Sequence, residues 1–457
     1  MLEFISSVWW MLVTLGVLVT FHEYGHYWMA RKFGVKVLKF SVGYGKLFWS
    51  RTDKNGTKFG FAPIPLGGYV KLLDTRDPDT DIASIDHSQT YNSKPIWQRA
   101  CIMFAGPAFN FLLAILLFWM MFVYGKNELH PTIGTPEKIL LQAGAQSKDR
   151  IVSLNDYKIK TWQDVSLELI TNGLDRKDIE LTIQRNTGIQ KNLILKLSDL
   201  PVGIDETEIF EHIGLNVWRL PLTNTVDTLA PGKPAELAGV LKGDKILAVN
   251  GDATSDWYAV VEMLNKHIDG KINLTILRNN NTLNVTIAHA VVDANNSSRR
   301  IIGIGPQQPD AAAKEYYNSL IFNNSYGIVA AVPVAINETW RMISVSVNMM
   351  GKIITGKASL KNLSGPITIA QFANDSASRG IAWFLGFLGL VSLSLGIINL
   401  LPIPMLDGGQ ILFLLFEKIK GAPLSEEFQL KGQTVGILFL LCFMSIAFYN
   451  DILRLVS

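Results

Sequence analysis

Seven histidines are spread over 457 residues, and two of them stand four apart in His22-Glu23-Tyr24-Gly25-His26. On a helix, positions i and i+4 project from one face. Both imidazoles can then bind one metal ion while the glutamate between them reaches the metal's water. That arrangement suits hydrolysis of a peptide bond. The competing reading is a pair of solvated histidines at a helix end. Against it, the motif closes an apolar run, where ionisable groups are expensive and are usually functional. A catalytic metal also needs a third protein ligand and an open position. Asp407 is the candidate, in Asn399-Leu400-Leu401-Pro402-Ile403-Pro404-Met405-Leu406-Asp407-Gly408-Gly409. Taken alone, that Pro- and Gly-rich stretch fits a helix-stop turn equally well.

The elements that must position these residues follow from where charge is missing. The chain carries 42 basic and 39 acidic residues, yet Phe4–Phe21, Ala100–Gly125, Gly380–Leu406 and Gly432–Asn450 contain none of them. A helix needs about 20 apolar residues to cross a bilayer, so each run can span one. At 48% hydrophobic residues the chain is neither disordered nor a disulfide-stapled mini-protein, and a net charge of +3 gives no reason to expect nucleic acid as a partner. The cysteines, Cys101 and Cys442, both lie in apolar runs, so no disulfide framework exists. The N-terminus opens with Glu3 rather than a basic region and shows no small-residue cleavage site, so the first run reads as a retained span.

Between the first two runs, Val37–Ser50 and Lys58–Leu73 are aromatic and β-branched, with Asp53-Lys54-Asn55-Gly56 between them. Asn-Gly predicts a hairpin there. From residue 127 to 307 the chain repeats itself. At an offset of 95, Ala143-Gly144, Asp149, Ile151, Asn155, Trp162 and Val165 match Ala238-Gly239, Asp244, Ile246, Asn250, Trp257 and Val260. Leu181-Thr182-Ile183 and Arg185-Asn186 match Leu274-Thr275-Ile276 and Arg278-Asn279 at an offset of 93. Ordered matches of this kind indicate duplication, here of an α+β domain of ordinary size. Tyr316–Asn337 also lacks charge, but its asparagines are costly in lipid, so it reads as interfacial or amphipathic rather than a fifth span. Lys and Arg cluster at Arg31–Lys39, Lys94–Arg99 and Lys418–Lys431, which makes those loops cytoplasmic. Both termini and the duplicated segment then face the opposite side.

These motifs resemble the site-2 protease family, and most closely its RseP-type bacterial intramembrane metalloproteases. The resemblance rests on His22–His26 at the end of the first span, Gly106-Pro107-Ala108-Phe109-Asn110 in the second, and Asn399 to Gly408 in the third. Tandem PDZ domains between spans two and three complete it. It implies a four-helix membrane protein with a membrane-associated β-element and two inserted PDZ domains. Its parts are 1–125, the PDZ domains at 127–218 and 220–307, a linker at 308–379, and 380–457. It also implies Zn2+ held by His22, His26 and Asp407, with Glu23 as general base and acid and Asn399 holding substrate or stabilising the oxyanion. Gly43, Gly45, Gly68 and Tyr69 of the β-element would bind unwound substrate by strand addition. Asn110 is either helix–helix glue or a substrate contact. One departure is Gln410, where close relatives often carry histidine.

The implied activity is cleavage of transmembrane segments of single-span proteins in the bacterial inner membrane, after a first protease has trimmed them. An anti-sigma factor of the envelope-stress pathway and remnant signal peptides are the implied substrates. The PDZ pair would act as a size filter. Two other classes compete. A non-catalytic membrane-anchored PDZ scaffold predicts loss of at least one of His22, Glu23, His26 and Asp407. A metal transporter predicts further polar residues along the spans.

Overall fold

The computed structural model describes residues 2–76, 86–267, 270–293 and 296–456. The chain divides into two compact units, one made of most of 128–322 and the other of the chain before and after it.

In the second unit the first apolar run becomes helix α1, Leu2–Lys32, with the histidine motif in its last third. Basic Arg31 and Lys32 sit at the negative end of the helix dipole, and Gly34 in the left-handed region lets Val35 N–H reach Ala30 O at 2.8 Å. Strands β1 (Val37–Tyr44), β2 (Trp49–Thr52), β3 (Lys58–Phe61) and β4 (Ile64–Leu72) follow. They form one sheet in the order β2-β3-β1-β4. The expected turn joins β2 to β3: Asp53 Oδ1 accepts from Asn55 and Thr57 amides at 2.9 and 2.8 Å, with Gly56 at φ 82°. Each expected strand nevertheless splits in two, and β1 pairs parallel to β3 and antiparallel to β4. The result is a four-stranded sheet rather than a hairpin, with β4 as an edge. Helix α2, Ile96–Tyr124, is the second apolar run.

In the first unit the duplicated segments fold alike. Strands β5 (Arg150–Leu154), β6 (Tyr157–Lys158), β7 (Ile179–Gln184) and β8 (Gln190–Leu195) form a sheet in the order β6-β5-β7-β8, with helix α3, Trp162–Leu174. The second copy repeats this as β9 (Lys245–Val249), β10 (Asp252–Ala253), β11 (Ile272–Arg278) and β12 (Asn281–Ile287), with α4, Trp257–Lys266. Matched residues do matched work. Asn155 and Asn250 both turn at φ 49°, a conformation asparagine tolerates. Arg185 reaches buried Asp149 at 2.8 Å and Gly144 O at 2.9 Å; Arg278 reaches buried Asp244 at 2.7 Å and Gly239 O at 2.8 Å. Duplication therefore preserved a charge pair as well as a core.

Helix α5 (Ala311–Leu320) precedes a short strand, and α6 (Ala331–Ile354) begins the return into the other unit. Tyr316–Asn337 is thus parts of two helices and a strand between them. Helix α6 buries Ala331, Ala335, Thr339 and Met342 at helical spacing and exposes Ile336, Trp340 and Val347, an amphipathic pattern. Helices α7 (Pro366–Arg379), α8 (Ile381–Asn399), α9 (Asp407–Lys420) and α10 (Glu426–Val456) complete the chain. Among the described residues, four helices are long and apolar enough to cross a membrane: Phe4–Lys32, Ile96–Tyr124, Ile381–Asn399 and Glu426–Leu455. Small residues let them approach. A methyl on Gly389 would meet Phe118 at 2.7 Å and one on Gly396 would meet Phe111 at 3.0 Å, while Ser392 Oγ donates to Asn110 O at 2.8 Å. Near its far end α10 caps α7, as Asp451 accepts from Gly365, Ile367 and Thr368 amides at 2.9–3.1 Å.

Candidate active site

The helix period brings His22 and His26 to one face of α1, and both are buried. Asp407 opens α9, where the positive helix end favours a carboxylate. It gets there because the loop from Leu400 to Leu406 folds tightly under it: a methyl on Gly408 would strike Leu400 O at 2.3 Å, and one on Gly409 would strike Ile403 O at 2.1 Å. Only glycine fits either position. The donor atoms then converge. Nε2 of His22 lies 3.1 Å from Asp407 Oδ2, Nε2 of His26 lies 3.4 Å from it, and the two Nε2 atoms are 3.2 Å apart.

One stripe of α2 arranges the whole set. Arg99, Ile102, Gly106 and Asn110 follow one another at steps of three and four residues, so they share a face. The carbonyl of Ile102 accepts from His26 Nδ1 at 2.8 Å, which leaves the Nε2 lone pair free to bind metal. Gly106 leaves the space the imidazoles need, since a methyl there would sit 2.3 Å from His26 Nε2 and 2.8 Å from His22 Cε1. Gly25 of α1 allows the approach from the other side, its methyl position being 2.4 Å from Ala105 O. The Asn110 amide lies 3.1 Å from His22 Nδ1. With its nitrogen toward the ring, Asn110 Oδ1 is buried without a partner. A half-turn of that amide lets Oδ1 accept from His22 Nδ1–H, which satisfies the oxygen and frees the second Nε2 lone pair.

This geometry fits a zinc ion. Donors about 2.0–2.1 Å from a tetrahedral zinc stand roughly 3.3–3.4 Å from one another, close to the three edges seen here. Two imidazole lone pairs and a carboxylate oxygen pointing at one spot repel unless a cation lies between them. Asp407 Oδ2, moreover, is buried without a hydrogen-bond partner. Among the described residues, this is the cluster of His, Cys, Asp and Glu arranged to hold a metal ion.

Glu23 lies in the field of all three and beside the Val70 backbone on β4. Gly68, two residues along that strand, packs so closely that a methyl would stand 3.3 Å from Glu23 Cγ and 2.6 Å from Ser41 O. The edge strand therefore runs beside the glutamate. The other residues singled out in the sequence lie elsewhere. Gly43 and Gly45, at φ 95° and 108°, shape the end of β1, where Gly43 lies against Ala62 and Ile64 carbonyls. The Tyr69 ring stacks on Tyr44 at 6.3 Å and its hydroxyl meets Lys39. Asn399 is the last residue of α8 and makes no side-chain hydrogen bond among the described residues. Asn110 is fully buried beside His22. Sequence reasoning missed Gly25 and the Ile102 carbonyl, because their partners lie on another helix about 80 residues away.

A buried two-histidine and carboxylate set with a glutamate between the histidines defines a metal-dependent hydrolase. Comparison with known proteins makes this specific. The profile of peptidase family M50 matches residues 10–443. A Xylella fastidiosa protein, provisionally named a zinc metalloprotease, is 41% identical over 457 residues, covering 99% of both chains. Protease RseP of Yersinia pestis is 36% identical over 465 residues and covers 100% of both, and the regulator of sigma E protease of Salmonella typhi is 35% identical over 446 residues, 97% of this chain and 98% of its own. The chain belongs to peptidase family M50. It is a zinc metalloprotease of the site-2 type.

Proposed function

We propose that the chain is an intramembrane endopeptidase that cuts transmembrane segments of single-span proteins already trimmed by another protease. The observation that carries this is the triangle of donor atoms on His22, His26 and Asp407, built at the end of one apolar helix and just beyond another, with Glu23 beside it. In this reading the three residues hold zinc. When bound, zinc lowers the pKa of a coordinated water to about 7 and polarises the scissile carbonyl. The Glu23 carboxylate takes the water's proton and later delivers it to the leaving amide nitrogen. Asn110 and the Ile102 carbonyl fix the tautomers of the two histidines.

A helix in lipid hides its carbonyls in internal hydrogen bonds, so substrate must be unwound and offered other partners. The free edge of β4 supplies them through Gly68 and Val70, next to Glu23. Gly43, Gly45 and Tyr69 shape this sheet, and Asn399 is placed to hold the substrate chain. Residues 127–218 and 220–307 serve as two PDZ domains that exclude substrates still carrying a bulky domain, joined to the core by the amphipathic linker of 308–379. The membrane parts are 1–125 and 380–457. The protein resides in the bacterial inner membrane, with four spans and with both termini and the PDZ pair in the periplasm, as the Lys and Arg clusters favour. Relatives named for regulating sigma E support an anti-sigma factor as substrate, with remnant signal peptides as a second class.

The test is cleavage of a trimmed single-span substrate by the purified chain and by Glu23→Gln. Cutting that disappears in the variant while bound zinc stays at the wild-type level supports the reading. If both bind zinc and neither cuts, the scaffold reading replaces it. Persistent cutting by the variant would mean that Glu23 is not the base. A zinc chelator should stop cutting, and added zinc should restore it.

A further inference from the structure

The Asp407 helix is also tied to α2, ten residues beyond the carboxylate. Arg99 Nη1 donates to Glu417 Oε2 at 3.1 Å and Nη2 donates to Oε1 at 2.5 Å, a two-pronged pair whose side chains are 9% and 14% exposed. Arg99 Nε is also fixed, donating to Lys94 O at 3.1 Å. Around the pair lie Tyr91, whose phenol is pushed up by burial, and the bidentate Asp74–Arg76 pair from the loop after β4. A salt bridge this deep is poor evidence for stability, because desolvation offsets the attraction. Its geometry is another matter, since a planar guanidinium on a carboxylate fixes both distance and angle.

The ends of the pair are well chosen. Arg99 starts the α2 stripe that continues through Ile102, Gly106 and Asn110 to both histidines. On α9, Asp407, Gln410, Leu414 and Glu417 share one face at steps of three and four. Asp407 and Glu417 stand about 15 Å apart along a rigid helix. Elsewhere α9 packs through nondirectional apolar contacts, with Phe413 and Leu414 buried. Phe413 packs on Phe428 and Gly432, while Leu415, Phe416 and Ile419 are 50%, 40% and 75% exposed. Such contacts let a helix rotate or slide by a fraction of an ångström, and the fork does not. We propose that the Arg99–Glu417 pair is a positioning clamp that sets the rotation and height of α9, and so places Asp407 against the two histidines. The proposal rests on Asp407 being the third zinc ligand.

The test compares the full-length chain with Glu417→Gln, Arg99→Lys and the double variant Arg99→Met/Glu417→Leu, all in detergent. Zinc affinity is read by chelator competition, kcat and KM on a trimmed single-span substrate, and stability by thermal unfolding. The double variant matters most, because replacing both charges with apolar groups leaves no orphan charge and tends to keep or raise stability. A clamp predicts that Glu417→Gln and the double variant both weaken zinc binding by about tenfold or more, with kcat falling and KM kept. Arg99→Lys, which keeps charge without the fork, should fall between. Wild-type zinc affinity in the double variant, whatever its stability, would overturn the clamp. Failure of the underlying reading looks different: Asp407→Ala would then bind zinc as tightly as the wild-type chain.

Discussion

Replacing Gly106 by alanine puts a methyl group where the imidazoles must meet. That carbon would lie 2.3 Å from His26 Nε2, 2.6 Å from His26 Cε1 and 2.8 Å from His22 Cε1. Ordinary contact begins near 3.5 Å, so His26 must retreat by about 1.2 Å. It cannot retreat freely, because its Nδ1 is held by the Ile102 carbonyl on the same helix as the new methyl. A shift of about 1 Å at a catalytic centre costs on the order of a hundredfold in rate, and disturbed ligand orientation costs about 10–100-fold in metal affinity. Gly106→Ala should therefore lose zinc affinity and turnover together by one to two orders of magnitude. The helix itself should not suffer, since alanine is the better helix former by about 1 kcal/mol. Gly16→Ala is the control, because nothing lies within 4 Å of its methyl position. Chelator competition and a cleavage assay on both variants suffice. A Gly106→Ala chain that binds zinc and cuts like wild type would refute the account of why a glycine stands there.

Other variants probe neighbouring links. Asn110→Asp keeps an acceptor for His22 Nδ1–H and should retain zinc, whereas Asn110→Leu should lose about 10–100-fold in affinity, as removal of a ligand's hydrogen-bond partner does; equal losses would show that the amide does not set the tautomer. Gly68→Ala adds a methyl 2.6 Å from Ser41 O and 3.3 Å from Glu23 Cγ, so it should slow cleavage while leaving zinc affinity unchanged; loss of zinc instead would separate the edge strand from substrate handling. In the first repeat, Arg185→Ala strands buried Asp149 and should destabilise that domain by about 3 kcal/mol, the low end for breaking a buried pair because Arg185 keeps some contact with water. Limited proteolysis of the full chain should find cuts confined to 128–200, and cuts spread evenly across both repeats would contradict independent folding of the copies.

The sequence makes some of this legible and hides the rest for identifiable reasons. Helical period alone puts His22 and His26 on one face, and charge-free length alone marks the four long apolar helices, because both signals are local. The duplication is visible because matched residues recur in order, and Asn155/Asn250 and Arg185/Arg278 perform the same task in each copy. Asp407 is ambiguous until the histidines lack a ligand, and in the structure its stretch is both a turn and the start of a helix. What stays hidden depends on contacts across the chain. The parallel pairing of β1 with β3 turns an expected hairpin into a sheet with β4 exposed beside Glu23. Asn110, open to reading as glue or as a substrate contact, lies behind His22 because α1 and α2 touch through Gly25. No residue's type announces that.

The donors also have a position in time. His22 and His26 leave the ribosome early, while Asp407 follows 385 residues later. At about 5–20 residues per second, roughly 20–80 s pass between them. Throughout that interval the nascent chain carries the histidines and Glu23 but lacks the carboxylate that completes the triangle. A stalled or truncated product released into the membrane is likewise without it. A zinc metalloprotease is thereby kept inert until both flanking apolar segments and everything between them have been made.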